Sequence, residues 1–449
     1  GEVLGHVSTS TPADVTRTVA HIRDGLARRW PLRSRREALE KASRLLAEGA
    51  DRFAVLIASE SSKTIREAER EVQRCVETLR LSAAAASELA GETLNFEDSP
   101  GTGTKIGWYT RKPVGIVAAV TPFNDPLNLV AHKLGPALIG GNGVVLKPSG
   151  RTPLTALAFV QLLLEAGVPA GRLAVLAGGQ GVAEALVTDP GIDLISFTGG
   201  PGTAERIAAT AGARKMVSEL GGNNATIVCS DADVARAAQA IVAGAFGVAG
   251  QNCLSVQRVY AHTSVYVELL GRVTAGTQAL RTGPKLDRAT DVGPLISEAE
   301  AVRVEAWVDE AREAGASVHS GGTRRNAFYE PTVLTDVPPH CRVIREEVFG
   351  PVLTIIPFHE VADAVLAANS TEYGLQAGVF TRSVDQALAI AEQLQVGAVV
   401  INETSDVRID SMPFGGFKKS GVGREGVPYA VLEMTEPKST IINLPEETP

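Results

Sequence analysis

Short apolar runs alternate with helical segments along most of this 449-residue chain, and this alternation limits the fold more than any other feature. Runs typical of buried strands occur at 114–120, 143–146, 173–176 and 194–197. A second series of such runs lies at 225–229, 257–261, 316–318, 353–358, 378–380 and 398–401. Neighbouring parallel strands need long crossover connections, which are usually helices that cover the faces of the sheet. The alternation therefore predicts two α/β domains that meet near 219–224.

Two helical and two extended segments lie outside this alternation. We predict helices at 35–50 and 63–90, because Ala, Leu, Glu and Arg dominate there and apolar residues recur every three or four positions. The segments 104–111 and 436–444 are β-prone and belong to neither domain. They could pair with each other as a projecting sheet that recruits another subunit.

Charge and cysteine content exclude several classes of protein. The net charge is −8 and no basic stripe is present, so we do not expect nucleic-acid binding. The four cysteines form no C-x-x-C pair, which argues against a metal site and against a disulfide framework. We see no leader sequence and no apolar run of about 18 residues, so we expect a cytoplasmic protein without a membrane partner.

Cys253 and Glu219 are the candidate catalytic pair. Cys253 ends the block GQNC, and Glu219 begins the block ELGGN thirty-four positions earlier. A thiol could attack an electrophilic carbon, and a carboxylate could later activate water. Asn124 follows the strand 114–120 in the block TPFNDP, and its amide could stabilise an oxyanion near the thiol. An Asx-turn is the structural alternative for Asn124.

A glycine-rich turn follows the predicted strand 194–197. It contains Gly199 and Gly200, and a helical segment begins after them. Free N–H groups at a helix N-terminus favour a pyrophosphate, although a tight strand-to-helix connection would look the same. The G-x-G-x-x-G sequence at 421–426 does not follow a strand, so we interpret it as a loop rather than a nucleotide site.

Two further blocks are candidates for nucleotide contacts. Lys147 ends the strand that begins at 143, at the sheet edge where open α/β sheets bind ligands. A surface lysine that closes a strand is the alternative. Glu347 and Phe349 offer a carboxylate for ribose hydroxyls and a ring to pack near a nicotinamide, or they form a strand-entry turn.

Taken in order, these blocks resemble the aldehyde dehydrogenase superfamily over essentially the whole chain. The match also includes the block PFGGFKKSG at 413–421. The resemblance implies an α/β fold with a Rossmann-like cofactor domain, an α/β catalytic domain and a bridging β-arm that forms a homodimer or a dimer of dimers. The implied boundaries are 1–96 and 114–221 for the cofactor domain, 222–430 for the catalytic domain, and 97–113 and 431–449 for the arm.

The resemblance implies oxidation of an aldehyde to a carboxylic acid with NAD or NADP. Cys253 would form a thiohemiacetal held by Asn124 and the Cys253 backbone N–H, and Glu219 would activate the water that hydrolyses the thioester. The presence of Glu219 favours hydrolysis over transfer to coenzyme A. Glu436 matches a carboxylate proposed as a proton relay. The matched cofactor positions are Phe123, Lys147, Gly179, Gly199, Gly200, Glu347 and Phe349.

The chain departs from the family pattern beside the cofactor ribose. Members that prefer NAD commonly carry Glu three residues after the motif lysine, whereas this chain has Gly150 followed by Arg151. The negative charge is missing and a phosphate partner is added. NAD and NADP therefore both stay open.

Arg74 and Arg408 fall at substrate-tunnel positions of the family. Guanidinium groups pair well with planar or tetrahedral anions, so we expect a small hydroxylated or anionic aldehyde that resembles lactaldehyde, phosphonoacetaldehyde or a semialdehyde. Alternatively, both arginines only pair with neighbouring carboxylates, Arg74 with Glu71 or Glu77 and Arg408 with Asp406 or Asp410.

Asp125 and Asn252 complete the predicted substrate site. Asp125 would repel an anion unless it pairs with one of the arginines. Asn252 precedes the cysteine where arginine would favour a phosphonate, which weakens that assignment.

Two other classes of protein were weighed. A cysteine hydrolase would need a histidine base for Cys253, but none of the seven histidines lies in a motif-like setting. His132, in an apolar stretch, is interpreted as a helix residue. A non-catalytic binding protein with the same fold would not need Asn124, Glu219 and Cys253 together.

Overall fold

The apolar runs become the strands of two largely parallel sheets, and the segments between them become helices. The computed structural model describes residues 3–98 and 104–445. The helices in these residues are α1 (Pro12–Leu26), α2 (Leu32–Glu48), α3 (Ala50–Glu60), α4 (Ile65–Ala84), α5 (Asn128–Gly140), α6 (Pro153–Ala166), α7 (Gln180–Thr188), α8 (Pro201–Ala211), α9 (Val234–Phe246), α10 (Thr263–Gln278), α11 (Glu298–Glu313), α12 (Arg342–Arg345), α13 (Val361–Asn369), α14 (Val384–Gln393) and α15 (Val427–Glu433).

The strands divide among three main sheets and one small hairpin. They are β1 (Thr93–Leu94), β2 (Lys105–Pro113), β3 (Ile116–Val120), β4 (Gly143–Lys147), β5 (Leu173–Val175), β6 (Leu194–Thr198), β7 (Lys215–Glu219), β8 (Asn224–Val228), β9 (Val256–His262), β10 (Ser317–Ser320), β11 (Arg324–Arg325), β12 (Phe328–Tyr329), β13 (Thr332–Thr335), β14 (Val352–Phe358), β15 (Gln376–Phe380), β16 (Ala398–Ile401), β17 (Gly421–Val422) and β18 (Thr435–Asn443).

The first sheet has the order β17-β7-β6-β3-β4-β5, and only β17 runs antiparallel. Its central strand β3 is buried throughout, as expected for a strand covered on both faces. Val120 at the end of β3 pairs with Lys147 on one side and Phe197 on the other, and Thr198 pairs with Glu219. These side chains therefore share the carboxyl edge of the sheet, where ligands bind in open α/β folds.

The second sheet has the order β10-β13-β14-β9-β8-β15-β16, and only β10 runs antiparallel. Its strand β8 begins at Asn224, five positions after β7 ends at Glu219. Cys253 lies in the loop that leads into β9, the strand beside β8. The carboxyl edge of the first sheet thus meets the amino edge of the second.

The third sheet joins the two extended segments. Strand β2 pairs antiparallel with β18 along its whole length, and β1 lies on the other side of β2. The predicted pairing of these segments is confirmed. Residues 99–103 and 446–449 of the predicted arm lie outside the described residues, and the division into domains stays a prediction. Apolar side chains are exposed on this sheet, namely Ile106, Trp108, Ile441 and Ile442.

Local differences from the sequence prediction have simple causes. The segment 63–90 is an α-helix only to Ala84 and then tightens into a 3₁₀ turn. Strand β7 was not predicted, because KMVSE has too few apolar residues. The G-x-G-x-x-G segment is a turn, since Gly423 and Gly426 have φ angles of 76° and 88°. After this turn, α15 packs on α5 beside the first sheet.

In the described residues, no helix combines the length and the apolar composition needed to cross a membrane.

Candidate active site

Two cavities meet at Cys253. The larger cavity, about 690 Å³, lies between α4, α9 and the loop at 403–408. The smaller cavity, about 280 Å³, lies against the carboxyl edge of the first sheet and is lined by Glu219. Cys253 and Asn124 line both cavities. The structure therefore brings the three predicted catalytic residues Cys253, Asn124 and Glu219 together.

The loop before Cys253 is strained. Val248, Ala249 and Gly250 all have left-handed backbone angles, with φ values of 53°, 53° and 70°. Left-handed backbone is costly for a β-branched residue such as Val248, and such strain persists only where surrounding contacts hold it. The Val248 N–H donates to Glu67 at 2.8 Å.

The Cys253 thiol is positioned by its neighbours. Its carbonyl accepts a 2.7 Å hydrogen bond from Asn224 Nδ2, and its Sγ lies 3.8 Å from Asn252 Oδ1. Asn252 Nδ2 donates to Asp406 at 2.5 Å, which directs the amide oxygen towards the thiol. Burial raises the pKa of Cys253, the charge of Glu347 raises it further, and Arg408 opposes them. The surroundings of Cys253 therefore favour the neutral thiol over the thiolate.

The side chain of Glu219 is buried between the two sheets. Neither of its oxygens makes a hydrogen bond with the described residues. Burial raises the pKa of Glu219 well above its usual range, and the negative charge of Glu425 adds to that effect. The carboxylate form of a group with a raised pKa is a stronger base, so Glu219, once it has lost its proton, is suited to take a proton from water.

Glu425 was not predicted as a site residue, because it lies within the G-x-G-x-x-G segment at 421–426, which the sequence indicates to be a loop. Lys133 donates to one of its oxygens at 2.7 Å and Arg408 to the other at 3.0 Å. Burial alone would raise the pKa of Glu425, but Lys133 and Arg408 lower it to about 2. Glu425 therefore stays charged close to Glu219.

The two predicted substrate arginines line the larger cavity but are engaged in ion pairs. Arg74 pairs with Asp410 at 2.8 Å and with Asp125 at 3.6 Å. Arg408 pairs with Glu425, and its guanidinium lies 4.0 Å from the centre of the Phe414 ring.

The predicted neighbouring partners of these arginines were wrong. Glu71 and Glu77 are taken by other cations, Lys63 at 2.7 Å and Arg80 at 2.6 Å. Near Arg408, the carboxylate of Asp406 accepts from Asn252, and that of Asp410 accepts from Arg74 and His132.

Asp125 also lines the larger cavity and is neutralised there. Its carboxylate pairs with Lys63 and lies within ion-pair distance of Arg74. Burial would raise the pKa of Asp125, but Lys63 and Arg74 lower it. Lys63 is itself buried, and nothing in its local sequence signalled this role.

The smaller cavity holds most of the predicted cofactor contacts. Its lining includes Gly199 and Gly200, at the N-terminus of α8, together with Phe123, Glu347 and Phe349. The two phenylalanine rings pack edge to face, with centroids 5.8 Å apart. Glu347 accepts from the Gly222 N–H at 3.1 Å, and burial raises the pKa of Glu347 to about 7.

Other predicted cofactor residues lie along the same sheet edge. Lys147 is half-buried, and burial lowers its pKa. Gly150 and Arg151 are exposed in the turn that follows, and a Cβ on Gly150 would meet no atom within 4 Å. Gly179 precedes α7. The donors, the glycines and the smaller cavity fit the nicotinamide and pyrophosphate parts of a dinucleotide.

A slot between α7 and α8 was not predicted. It measures about 230 Å³, and its wall is mainly apolar, including Val120, Ala183, Phe197 and Ile207. A flat, mostly apolar slot beside Gly200 suits an adenine ring. Most of its residues lie on the amphipathic helices α7 and α8, which the sequence does not distinguish from ordinary core helices, and Val120 and Phe197 come from the ends of β3 and β6.

Glu436 lies away from both cavities. It is on β18, its side chain is 56% exposed, and it pairs with Lys215 at 3.0 Å. The chain enters the arm after α15 ends at Glu433, and Glu436 is in the lining of neither cavity; its catalytic role stays a prediction.

Comparisons with known proteins agree with this geometry. Residues 1–440 match the model of the aldehyde dehydrogenase family. The 3-sulfolactaldehyde dehydrogenase of Priestia aryabhattai is 45% identical, over 98% of this chain and 92% of the relative. A lactaldehyde dehydrogenase of Methanococcus maripaludis is 39% identical, over 90% of this chain and 87% of the relative.

Solved structures show the same fold. The glyceraldehyde-3-phosphate dehydrogenase GapN of Methanocaldococcus jannaschii, complexed with NADP, has a TM-score of 0.95 and 36% identity, covering 98% of this chain and 97% of the other. An NAD-dependent aldehyde dehydrogenase of Sinorhizobium meliloti has a TM-score of 0.96 and 32% identity, covering 100% and 90%.

Proposed function

The chain belongs to the aldehyde dehydrogenase family and is an NAD(P)-dependent aldehyde oxidoreductase, and on this basis we propose that it oxidises a small hydroxylated or anionic aldehyde to the free acid. Cys253 is the nucleophile and Glu219 is the base. One observation carries the proposal: Cys253 and Asn124 line both the larger cavity and the smaller one. An aldehyde carbon attached to Cys253 is then within reach of a cofactor in the smaller cavity.

The first half of the reaction uses Cys253 and Asn124. Cys253 loses its proton and adds to the aldehyde carbon, which gives a thiohemiacetal. The charge that develops on the oxygen is held by the Asn124 amide and the Cys253 backbone N–H. NAD or NADP, when bound, supplies the acceptor for the hydride. A thioester on Cys253 then remains.

The second half of the reaction uses Glu219. Its carboxylate takes a proton from water while the water oxygen attacks the thioester carbon. The carbon–sulfur bond breaks, so the acid leaves and the thiol is restored. The unpartnered oxygens of Glu219 leave room for hydrogen bonds to that water.

The cofactor would be held by residues of the smaller cavity and the adjoining sheet edge. The proposed contacts are Phe123, Lys147, Gly179, Gly199, Gly200, Glu347 and Phe349. The open space around Gly150 and the neighbouring Arg151 leave room for the 2′-phosphate of NADP as well as for NAD.

The substrate class follows from the larger cavity and from the relatives. Arg74 and Arg408 line the cavity, with Asp125 and Asn252 beside them. A relative named for 3-sulfolactaldehyde and another named for lactaldehyde support a small anionic or hydroxylated substrate. We also propose a homodimer or a dimer of dimers, joined through the exposed apolar side chains of β2 and β18.

A panel of aldehydes tests the reaction. Stopped-flow absorbance of the reduced nicotinamide is measured with short aliphatic, aromatic, hydroxylated and anionic aldehydes, each with NAD and with NADP. We expect turnover that is lost in Cys253→Ala. Absence of turnover across the whole panel would refute the proposal.

Variants of the arginines test the substrate class. Arg74→Ala and Arg408→Ala are expected to raise KM for anionic aldehydes selectively. An equal effect on neutral aldehydes would show that the arginines only support the structure.

A further inference from the structure

The inner cations of the larger cavity are already neutralised. Lys63 pairs with Glu71 and Asp125, Arg74 pairs with Asp410 and Asp125, and Arg408 pairs with Glu425, in the contacts described above. An anion that enters deeply would have to share or break these pairs, and a buried ion pair that loses a partner is destabilised strongly.

Two other arginines line the same cavity, and their guanidinium groups form no ion pair with the described residues. Arg70, on α4, and Arg236, on α9, are both exposed. Neither guanidinium makes a hydrogen bond or an ion pair with any residue in 3–98 or 104–445. Free guanidinium groups at a cavity are ready to pair with an oxyanion.

The nearby carboxylates are occupied elsewhere, which explains why these arginines are free. Glu67 accepts from the backbone N–H groups of Thr64 and Val248, both at 2.8 Å. Asp233 caps the N-terminus of α9. Glu403 also lines the cavity, and one of its oxygens accepts from the backbone N–H of Thr404. Each carboxylate that lines the cavity therefore already has a partner other than Arg70 or Arg236 in the described residues.

The position of Arg236 defines the outer end of the cavity. One face of α9 forms a wall, with lining residues at Arg236, Gln239, Ala240, Ala243, Gly244 and Gly247. Eleven residues of helical backbone span roughly 16 Å. Cys253 follows a few residues after the end of this wall, so Arg236 lies at the end remote from the nucleophile. Arg70 lies one helical turn before Arg74.

We propose that Arg70 and Arg236 form an outer anion subsite at the mouth of the cavity, which attracts and first binds the carboxylate, sulfonate or phosphate of an incoming aldehyde before its aldehyde group reaches Cys253. The inference rests on the proposed function and adds the place where the negative charge is recognised. The whole chain carries a net charge of −8. A local pair of free cations at the mouth then raises the concentration of anionic aldehydes against that overall field.

The test compares two aldehydes of similar length, succinic semialdehyde and butanal. Wild type, Arg70→Gln, Arg236→Gln and the double variant are assayed for kcat and KM. We expect the double variant to lose about tenfold or more in kcat/KM for succinic semialdehyde, mainly through KM, and to keep the value for butanal. Added salt should lower kcat/KM for the anionic substrate in wild type but not in the double variant.

The matched control is Arg66→Gln on the same helix. Arg66 is already paired with Asp291 at 2.6 Å and does not line the larger cavity. Arg66→Gln should leave kcat/KM unchanged for both aldehydes. The variants change exposed side chains without partners, so their thermal unfolding should match that of wild type.

The remaining outcomes separate the inference from the function. Equal losses for both aldehydes, or a selective loss only in Arg74→Gln, would overturn the outer subsite while aldehyde oxidation stands. A wild type that prefers butanal would overturn the subsite as well. A wild type that oxidises no aldehyde of the wider panel would instead overturn the proposed function.

Discussion

The two cavities that meet at Cys253 differ in the partners of their buried carboxylates. On the substrate side, several buried carboxylates have cationic partners, as in the pairs Arg74–Asp410 and Arg408–Glu425, while Asp406 accepts from the Asn252 amide. On the cofactor side, Glu219 has no partner in the described residues, and Glu347 accepts only from a backbone N–H. The inner part of the substrate cavity therefore holds mostly paired charges before a ligand arrives, whereas Glu219 and Glu347 on the cofactor side have no cationic partner in the described residues.

This contrast separates stability from reactivity. A paired buried charge holds its surroundings in place, and removing one partner costs stability. An unpaired buried carboxylate has a raised pKa and a free oxygen, which are the properties of a base or a ligand-binding group. The same residue type should thus respond differently to substitution on the two sides.

The largest effect is expected for Glu219→Gln on the cofactor side. The amide keeps the shape of the side chain but cannot take a proton from water. We expect steady-state turnover to fall by about 10²- to 10⁴-fold, while a first-turnover burst of reduced nicotinamide survives. Rapid-mixing kinetics measure both quantities. Loss of the burst itself would contradict the assigned role.

On the substrate side, Glu425→Gln should chiefly reduce stability. The change leaves Lys133 and Arg408 without their carboxylate in a buried setting. We expect a loss of about 3–5 kcal/mol in the free energy of unfolding, measured by urea titration. Glu436→Gln is the matched control, because its pair with Lys215 is exposed and should contribute less than about 1 kcal/mol. Similar losses in the free energy of unfolding of both variants would contradict the expected difference between the buried and the exposed ion pair.

The pH dependence of stability sharpens the comparison at Glu347. Its pKa is raised to about 7 in the folded protein, against an ordinary value of 4.5. The folded state therefore binds the proton more tightly, and the stability present below pH 4.5 is lost as pH rises towards 7. This loss amounts to roughly 3 kcal/mol.

Glu347→Gln should remove that part of the slope. Urea titrations of the ligand-free protein across this pH range measure the difference between wild type and variant. Burial also raises the pKa of Asp406 to about 7. Asp406 therefore makes its own contribution to the pH dependence of the free energy of unfolding, which the additional substitution Asp406→Asn should remove. If the free energy of unfolding of Glu347→Gln depends on pH as steeply as that of wild type, the raised pKa of Glu347 is wrong.

The smallest effect is expected beside the cofactor ribose. Gly150→Glu fits without a clash, because a Cβ there meets no atom within 4 Å. Its carboxylate would repel a 2′-phosphate, so kcat/KM with NADP should fall about tenfold relative to NAD. Gly271→Glu, at an equally open position on α10, is the control. If the ratio of kcat/KM with NADP to kcat/KM with NAD changes equally in both variants, Gly150 does not lie beside the cofactor ribose.

Most of the fold follows from local sequence. Apolar runs such as 353–358 become strands because they exclude water on both faces, and the strand that ends at Lys147 lies as predicted. Strand β7 was missed because its residues are half polar. Its place is set by its neighbours β6 and β17 rather than by its own composition.

The ion pairs of the site could not be predicted in the same way. Arg74 pairs with Asp410, which is 336 positions away, although carboxylates lie on its own helix. Arg408 turns inward to Glu425 instead of pairing with a neighbour. Such choices depend on which groups the fold brings together and on which carboxylates are already occupied. A sequence shows the candidates but not that competition.

The short connection between β7 and β8 links the base to the nucleophile mechanically. Glu219 ends one strand, Asn224 begins the next, and the Asn224 amide holds the Cys253 carbonyl at 2.7 Å. The connection lies where the two sheets meet. Because only four residues separate Glu219 from Asn224, the backbone limits how far the base and the residue that holds the Cys253 carbonyl can move apart.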